Sequence, residues 1–228
     1  MIKILQNWGE IGEAILTLEK KGLPLHPTPQ KNWDHFVIYN TLVSKDKNSL
    51  ILDLGCGEGH TLKFLNALGF PNLHGTDLKI CWKLRFEQIY RMLRSGNCKR
   101  PFSLLEGDFH KTPFKNKYFD YVYSVSTVEH GVDVKSLLKE VYRILKPGGL
   151  FFLTTDYWEK KIQTDKSIKF FGLPWTIFSQ DEIELIIDTA RSLGLNLFEN
   201  SKTSPCLKKT VFWQNYEYTL IALLFKKI

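Results

Sequence analysis

An apolar, strand-like run that ends in a glycine-rich turn constrains the fold of this chain more than any other feature. Residues 50–52 are apolar, and Gly55, Gly57 and Gly59 follow them closely. Glycine adopts positive φ at little cost and lets a ligand approach the backbone, because no Cβ stands in the way. Asp77 ends the next strand-like run, where a carboxylate can accept hydrogen bonds from both hydroxyls of a ribose. The pattern predicts a βαβ unit that binds a nucleoside-containing cofactor.

The spacing of the glycines narrows the choice of cofactor. A dinucleotide-binding turn has the pattern G-x-G-x-x-G and places a pyrophosphate at the helix N-terminus. This chain has G-x-G-x-G instead, with His60 at the position of the third dinucleotide glycine. Asp53, just before the turn, would repel a pyrophosphate and would suit a cofactor that carries sulfonium and ammonium groups.

Four segments of the chain resemble the class I S-adenosylmethionine (SAM) methyltransferases, in their small-molecule branch. Residues 53–59, Asp-Leu-Gly-Cys-Gly-Glu-Gly, resemble motif I of this family. The other three resemble its adenine-binding motif, its fourth strand, and its fifth strand with the preceding turn; they are residues 105–109, 119–130 and 143–152. The segments follow the family's order, and the resemblance covers about residues 48–156.

The resemblance implies SAM as the cofactor and assigns residues to its parts. Asp77 would hold the ribose, Asp108 would accept a hydrogen bond from the adenine amino group, and Phe109 would line the base. The cofactor-binding residues implied in this way are Asp53, Gly55, Cys56, Gly57, Asp77, Leu78, Asp108, Phe109 and Ser126. Taken singly, Asp77 could equally be a helix N-cap and Asp108 a turn or capping residue, so these alternatives stay open.

Strand-like and helix-like segments alternate along most of the chain, which predicts a parallel, doubly wound sheet. The predicted helices are 10–22, 31–44, 59–68, 79–95, 133–145 and one that opens at 179; the predicted strands are 50–54, 72–77, 102–106, 119–125, 149–155, 195–198 and 216–225. The expected fold class is α/β, with a mostly parallel, seven-stranded Rossmann-like sheet whose last strand, by the family resemblance, is antiparallel. We expect residues 1–47 to form a helical N-terminal segment packed on the core and residues 48–228 to form the methyltransferase domain.

The excess of basic residues, 31 against 24 acidic ones, gives a net charge of +7 and would suit an acidic partner. The basic side chains concentrate in and after one predicted helix, at Lys79, Lys83, Arg85, Arg91, Arg94, Lys99 and Arg100. We interpret them as a solvated helix face whose long side chains snorkel, so a nucleic-acid partner is not expected.

Cysteine use and hydropathy favour a cytoplasmic protein. Cys56, Cys81, Cys98 and Cys206 form no C-x-x-C pair and no metal-binding spacing, which is typical of reduced thiols in the cytosol. The N-terminus lacks the apolar core of a signal peptide. The apolar run 220–225 is too short to cross a bilayer, so no membrane span is expected.

The expected reaction transfers the methyl group of SAM to an oxygen, nitrogen or carbon nucleophile. Because the donor is already activated, the protein mainly has to align the reactants and to remove a proton from the nucleophile. His130, just past the predicted fourth strand, is the first candidate for the general base because histidine titrates near neutral pH. Asp156 and Tyr157 are the reserve candidates. Residues 157–178 and 199–215 are expected to form a lid and walls around the acceptor.

Three functions are compatible with these features. The first is methylation, at oxygen or nitrogen, of a small-molecule or sugar-like acceptor, because Trp and Tyr in long loops suit stacking on such rings. The second is an RNA or protein methyltransferase, which the charge alone supports, since residues 124–127 are Ser-Val-Ser-Thr rather than the Asn/Asp-Pro-Pro-aromatic motif of nucleobase enzymes. The third is a non-catalytic partner subunit. No metal is expected, although Glu129, His130 and Asp156 could in principle hold magnesium.

Overall fold

The structure is a computed structural model that describes residues 1–95, 101–170, 172–199, 205–206 and 208–228. Of Arg91 and Ser95 it describes only the backbone. Cys98, Lys99 and Arg100, together with part of the predicted wall 199–215, therefore lie outside the described residues.

Eleven strands and six helices make up the regular structure of the described residues. The strands are β1 (Ile2–Ile4), β2 (Ile51–Leu54), β3 (Leu73–Asp77), β4 (Ser103–Glu106), β5 (Phe119–Val125), β6 (Leu145–Tyr157), β7 (Lys169–Phe170), β8 (Leu173–Pro174), β9 (Leu195–Leu197), β10 (Val211–Trp213) and β11 (Tyr216–Lys227). The helices are α1 (Trp8–Lys20), α2 (Lys31–Leu42), α3 (His60–Ala67), α4 (Trp82–Ser95), α5 (Val134–Ile144) and α6 (Gln180–Ser192).

A mostly parallel sheet of nine described strands forms the centre of the fold. Its main path has the order β1-β11-β6-β5-β2-β3-β4, and β9 and β10 each pair with β11. Strands β6, β5, β2, β3 and β4 run parallel, whereas β11 is antiparallel to β6. The predicted fold class is thereby confirmed. The sequence pattern does not predict β1 and β10, because strands of 3 residues are too short to show a period.

The strands bury both of their faces, which produces two core layers. Ile51 and Phe152 pack on the side that holds α1 to α4, whereas Leu52 and Phe151 pack on the side that holds α5 and α6. Successive side chains of a strand point to opposite faces, so a continuous apolar run serves both layers. This arrangement is the doubly wound sheet that the alternating pattern predicts.

Local capping chemistry fixes the start of α6. The side chain of Ser179 accepts a hydrogen bond from the backbone N–H of Glu182, and the backbone N–H of Ser179 donates to Glu182 Oε2 at 2.8 Å. This reciprocal capping box satisfies two N–H groups that the helix leaves unpaired. The helix start predicted at Ser179 is confirmed.

Residues 1–47 contribute a strand as well as two helices. Strand β1 pairs with β11, with Ile2 opposite Leu223. Helices α1 and α2 pack on one side of the sheet through residues such as Leu18 and Val37. The strand forms because β11 offers unpaired backbone groups at its edge, and no local pattern reveals such a distant partner. The division of the chain after residue 47 stays a prediction.

The described helices include none that is both long and apolar enough to cross a membrane. The apolar run 220–225 lies within β11, where it is buried in the sheet. Cys56, Cys81 and Cys206 are free thiols.

The carboxyl ends of the parallel strands meet at one edge of the sheet. Strand β2 ends at Leu54, β3 at Asp77, β5 at Val125 and β6 at Tyr157. In doubly wound sheets, ligands bind in the crevice outside these ends. The fold therefore brings the sequence-predicted site residues to one edge.

Candidate active site

Gly55 opens the turn after β2 in a conformation that requires glycine. Its φ is 79°, and a Cβ there would lie 2.4 Å from Cγ2 of Thr127. The backbone N–H of Gly55 donates to the carbonyl oxygen of Thr76 at 2.8 Å, which anchors the turn to β3. The turn thus presents its backbone, without side chains, to the crevice.

Asp77 lies directly beside this turn at the end of β3. Its Oδ2 accepts a hydrogen bond from the backbone N–H of Gly57 at 2.8 Å, and the residue is 8% exposed. The side chain therefore supports the turn with one oxygen while it lines the adjoining cavity. This is the position in which the sequence predicts the ribose-binding carboxylate.

Two of the predicted cofactor residues lie beneath the turn rather than on the cavity wall. Asp53 is 2% exposed, and burial, together with the nearby charge of Asp77, raises the pKa of its carboxyl to about 7. The Sγ of Cys56 points into the core, where a Cβ on Gly75 would lie 2.9 Å from it. A ligand in the crevice would therefore contact only the backbone of Cys56. It would interact with Asp53 only through the charge of the carboxylate.

The turn after β4 supplies another wall of the crevice. Phe109 is buried and lines the cavity, whereas the side chain of Asp108 is 61% exposed. Asp108 Oδ1 accepts a hydrogen bond from the backbone N–H of His110 at 2.8 Å and lies 2.7 Å from Nδ1 of that ring. The backbone hydrogen bond is the main cause that lowers the pKa of Asp108. Asp108 is thus a turn residue, one of the two alternatives open from the sequence, and an adenine amino group would have to bind through Oδ2.

These elements surround a cavity of about 540 Å³, which we call the cofactor cavity. The predicted cofactor residues that line it are Gly55, Gly57, Asp77, Leu78, Asp108, Phe109 and Ser126. The cavity offers a bare backbone turn, a carboxylate and an aromatic wall, which fit the amino-acid, ribose and adenine parts of SAM. The residues present therefore fit this cofactor.

A second cavity of about 340 Å³, which we call the acceptor cavity, opens beside the first. Its walls combine aromatic rings with buried charge, from Lys31, Glu129, Asp156, Phe170, Trp175, Trp213 and Tyr218. Ser126, His130 and Phe170 line both cavities. Ligands bound in the two cavities would therefore approach each other beside these three residues.

Ser126 sits at this junction in a strained backbone conformation. Its φ is 48°, in the left-handed region that residues with a Cβ rarely adopt. The Oγ of Ser126 accepts a hydrogen bond from the ammonium of Lys31, and its backbone N–H donates to the carbonyl oxygen of Thr154 at 3.1 Å. Strain of this kind persists where surrounding contacts hold it, and it is common at binding sites.

Buried charges surround the floor of the acceptor cavity. The ammonium of Lys31 lies 3.9 Å from Oδ2 of Asp34. Burial raises the pKa of Asp34 to about 6 and the pKa values of Glu129 and Asp156 to about 7. Burial alone would lower the pKa of Lys31, but the charges of Asp34, Asp156 and Glu129 raise it. One ammonium thus faces three carboxyl groups that titrate near neutral pH.

Hydrogen bonds hold the two carboxyl groups of the cavity wall in place. Asp156 Oδ2 accepts from Nε1 of Trp175 at 2.9 Å, and Glu129 Oε2 accepts from the hydroxyl of Thr155 at 3.1 Å. Burial, and then the charges of Asp156 and Glu129, raise the pKa of Tyr218, so its phenol stays neutral. Both carboxyl groups are therefore oriented before any ligand binds.

The raised pKa of Glu129 predicts a pH-dependent stability. A carboxyl whose pKa rises from 4.5 when unfolded to about 7 when folded stabilises the fold fully below pH 4.5, and this contribution is lost as the pH rises through 7. Glu129→Gln removes the titration and can still accept from Thr155. We expect the free energy of unfolding of wild type to fall by on the order of 2 kcal/mol relative to Glu129→Gln between pH 5 and pH 8.

Urea unfolding of both proteins at several pH values measures this difference. Glu184→Gln, which changes an exposed glutamate on α6, is the matched control and should show the pH dependence of wild type. A constant difference between wild type and Glu129→Gln across this pH range would contradict the raised pKa.

The three predicted catalytic residues are not brought together. His130 and Asp156 line the acceptor cavity, but Tyr157 follows Asp156 on β6 and points to the opposite face. There it lines a separate cavity with Ile4 and Ile183, and burial raises its pKa to about 12. The structure therefore speaks against Tyr157 as the base. Burial lowers the pKa of His130, which keeps its ring neutral at pH 7 and able to accept a proton.

The aromatic segment 157–178 forms a wall of the acceptor cavity. Phe170 lies at the tip of the short hairpin made by β7 and β8, and its ring centroid is 4.1 Å from that of His130. Trp175 follows the hairpin and is buried beside Asp156. Trp213 of strand β10 extends the same wall, because its ring centroid lies 4.9 Å from that of Trp175 and 5.6 Å from that of Phe170. Phe171 lies outside the described residues, and closure of this segment over an acceptor stays a prediction.

Sequence reasoning missed the contribution of α2. Lys31 begins this helix, 95 positions before Ser126, and Asp34 is fully buried one turn later. Polar residues at the start of a helix usually cap it or face solvent, so the pattern gives no sign of burial. The one available signal is the proline-rich connector before Lys31, which keeps the chain extended towards the sheet edge.

The fold is an α/β domain with two adjoining cavities, whose lining residues fit SAM and a second ligand. A family model described as "Methyltransferase domain" matches residues 52–153. The fold is similar to Haemonchus contortus phosphoethanolamine N-methyltransferase 2 in complex with S-adenosyl-L-methionine. The TM-score is 0.60 at 16% identity, over 85% of this chain and 52% of that one. Residues 52–153 therefore form a methyltransferase domain with the fold of the class I SAM-dependent enzymes, and SAM is its cofactor.

Two curated relatives carry the names of sterol-modifying enzymes. "Sterol 24-C-methyltransferase erg6" of Schizosaccharomyces pombe is 27% identical over 175 residues, which is 73% of this chain and 44% of that protein. "Cycloartenol-C-24-methyltransferase 1" of Oryza sativa subsp. japonica is 31% identical over 183 residues, or 78% of this chain and 46% of that protein. The chain thus spans less than half the length of either relative.

Proposed function

We propose that the protein is a SAM-dependent methyltransferase whose acceptor is a small molecule with an apolar body, bound in the acceptor cavity. The observation that carries this proposal is the meeting of the two cavities at Ser126, His130 and Phe170. Aromatic walls suit an apolar ligand, and large buried rings fix its orientation. The names of the two curated relatives support the same class of acceptor, with carbon as the methylated atom.

In this proposal the cofactor cavity holds SAM through the residues that line it. Asp77 binds the ribose hydroxyls, the turn from Gly55 to Gly57 approaches the amino-acid part, and Phe109 packs on the adenine. Asp108 reads the adenine amino group through its free Oδ2. Leu78, which lines the cavity after Asp77, packs beside the adenine and the ribose.

The charges of the acceptor cavity favour an acceptor atom that becomes positive. When bound, SAM supplies an electrophilic methyl group on a sulfonium sulfur, and the positive charge passes to the acceptor with the methyl group. Glu129, Asp156 and the rings of Trp175 and Trp213 line the cavity in which that charge would develop, and carboxylates and aromatic rings both stabilise a cation. An amine nitrogen or an alkene carbon fits this wall better than a sugar hydroxyl does.

We propose that Asp156 accepts the proton that the acceptor releases after it has been methylated. Its pKa of about 7 lies near the operating pH, where a general base works best. Its carboxyl accepts from Nε1 of Trp175 and also interacts with the hydroxyl of Tyr218, and both of these neighbours line the acceptor cavity. Lys31 balances the charge that remains on the carboxyl cluster, because Asp156 and Glu129 both act on its pKa.

Methylation of a hydroxyl is the second candidate, and one observation favours it. Nδ1 of His130 is buried without a hydrogen-bond partner among the described residues, at the junction of the two cavities. A neutral imidazole in that position could take the proton of a hydroxyl as the C–O bond forms. The sugar-like acceptors expected from the sequence belong to this candidate.

Methyl transfer from labelled SAM to a panel of acceptors tests the proposal. The panel contains a sterol with a side-chain double bond, a long-chain tertiary amine, a sugar nucleotide and RNA. We expect label on the sterol or the amine. Label on the sugar nucleotide would favour the second candidate, label on RNA would contradict both, and SAM binding without any transfer would favour a non-catalytic subunit.

Replacement of His130 separates the two candidates. For an alkene or amine acceptor, we expect His130→Gln to lower kcat by less than ~10-fold, because no proton leaves the nucleophile before it attacks. For a hydroxyl acceptor, the same change should cost ~10²–10⁴-fold. It should also remove the acidic limb of the pH–rate profile that His130 causes, which lies below the ordinary imidazole range because burial lowers the pKa of this ring. SAM affinity, measured by calorimetry, should stay near the wild-type value in either case and serves as the control.

A further inference from the structure

Helix α4 presents a large apolar face to solvent. The side chains of this face expose between 44% and 78% of their surface, and they are Leu78, Trp82, Phe86, Ile89, Tyr90 and Leu93. We call these six residues the α4 patch. Single exposed apolar residues are ordinary, but a contiguous set of this size on a monomer marks an interaction surface.

The α4 patch follows the helical period. With ~100° per residue, the five members within the helix fall in an arc of roughly 100°. The opposite side of the helix, which holds Leu84 and Gln88, is buried, and Leu84 packs on Gly59 at the start of α3. The helix therefore buries a narrow side with one apolar and one polar residue, and it exposes a wider apolar stripe.

Basic residues flank the exposed stripe on both sides. Residues 79–94 hold Lys79, Lys83, Arg85, Arg91 and Arg94 against the single acidic Glu87. On the helical period Arg85 lies on one side of the stripe, and Lys83 and Arg94 lie on the other. The interpretation of this helix as a simple solvated basic face is therefore incomplete, because the outermost residues are apolar.

We propose that the α4 patch docks the protein on an anionic lipid surface. Trp, Phe and Leu on the apolar face with Lys and Arg at its edges are the composition of helices that lie in a membrane interface. The apolar side chains would enter the acyl boundary, while Lys83 and Arg94 would meet anionic headgroups. Arg85 pairs with Oε2 of Glu106 at 3.2 Å and contributes less to this attraction. A second copy of the chain would bring the same basic rims together, so charge complementarity favours the lipid surface over a dimer.

The position of the α4 patch places the mouth of the cofactor cavity at this surface. Leu78 belongs to the patch and also lines the cofactor cavity, as do Lys79 and Cys81 directly before α4. Docking would therefore bring the paired cavities next to the bilayer. The inference rests on the exposed helix alone and holds whatever acceptor the site takes.

Flotation with large unilamellar vesicles tests the proposal. One set of vesicles is phosphatidylcholine with about one third phosphatidylserine, and the other is phosphatidylcholine alone. We expect the protein to float with the anionic vesicles and to bind the neutral ones at least ~10-fold more weakly. The triple variant W82S/F86S/L93S should lose at least ~10-fold in binding to anionic vesicles.

Two further variants separate insertion from charge alone. Leu185→Ser removes an exposed leucine from α6, which is 67% exposed in the wild type, and should float like wild type. The charge reversal K83E/R94E should weaken binding to anionic vesicles by at least ~10-fold and leave binding to neutral vesicles unchanged. Thermal melts and SAM affinity of all the variants confirm that they are folded.

Three results would overturn the proposal. If the wild-type protein floats with neither set of vesicles, it has no lipid-docking face. A triple variant that floats like wild type would show that the apolar stripe takes no part. A wild-type dimer in sedimentation equilibrium that the triple variant converts to a monomer would assign the α4 patch to a second copy of the chain.

Discussion

Asp77→Ala is expected to weaken SAM binding by about 3 kcal/mol or more, which is over a hundred-fold in Kd. The proposed carboxylate makes two charge-assisted hydrogen bonds to the ribose, and each such bond is worth about 1.5–3 kcal/mol. The same side chain supports the backbone N–H of Gly57 at 2.8 Å, so its loss also loosens the turn. Isothermal calorimetry with SAM measures the effect directly.

Asp77→Asn is a milder substitution at the same position, and its SAM affinity is compared with that of Asp77→Ala. The amide keeps one acceptor oxygen of the right shape but carries no charge, so we expect a loss of affinity between wild type and Asp77→Ala. Circular dichroism melts show whether both variants fold. Unchanged SAM affinity in folded Asp77→Ala would remove Asp77 from the site and leave it as a residue that only supports the turn.

Asp156→Asn is expected to lower kcat by ~10²–10⁴-fold while SAM affinity stays near the wild-type value. The asparagine can still accept the hydrogen bond from Trp175 Nε1, so the wall keeps its shape. It can neither take a proton nor stabilise a positive acceptor. Because burial raises the pKa of Asp156 to about 7, the wild-type rate should fall below that pH as the carboxyl becomes protonated.

Single-turnover kinetics with saturating SAM test this prediction once the acceptor panel has given a substrate. Asp188→Asn, which changes a surface carboxylate paired with Arg191 on α6, is the matched control and should react at the wild-type rate. If Asp156→Asn keeps the wild-type kcat and pH profile, Glu129 or His130 becomes the better candidate for the base.

Features that depend on local chemistry could be predicted from the sequence. The order of strands and helices in the domain, the glycine turn after β2 and the capping box at Ser179 are all encoded by neighbouring residues. Asp77 could be placed at the crevice as well, because parallel strands necessarily end at one edge of the sheet. The cofactor followed from the resemblance of the same segments to the SAM methyltransferases, and the spacing of the turn and its flanking acid spoke against a dinucleotide.

Features that depend on distant contacts were decided by the tertiary structure. Lys31 reaches Ser126, β1 joins the edge of β11, and Tyr157 turns away from Asp156 to the other face of the sheet. The pKa values of Glu129 and Asp156 also belong here, because burial sets them and burial is a property of the whole packing.

Helix α4 shows most clearly which features the local sequence determines and which the tertiary contacts determine. Its sequence by itself determined that it is a helix with both apolar and basic positions, because the period is written in consecutive residues. Only the tertiary structure decided which side of the helix is buried: Leu84 packs on Gly59 at the start of α3, whereas Trp82 and Phe86 remain outside. The physical reason is that a sequence fixes which side chains share a face of a helix, while the shape of the neighbouring surface selects which face the protein covers.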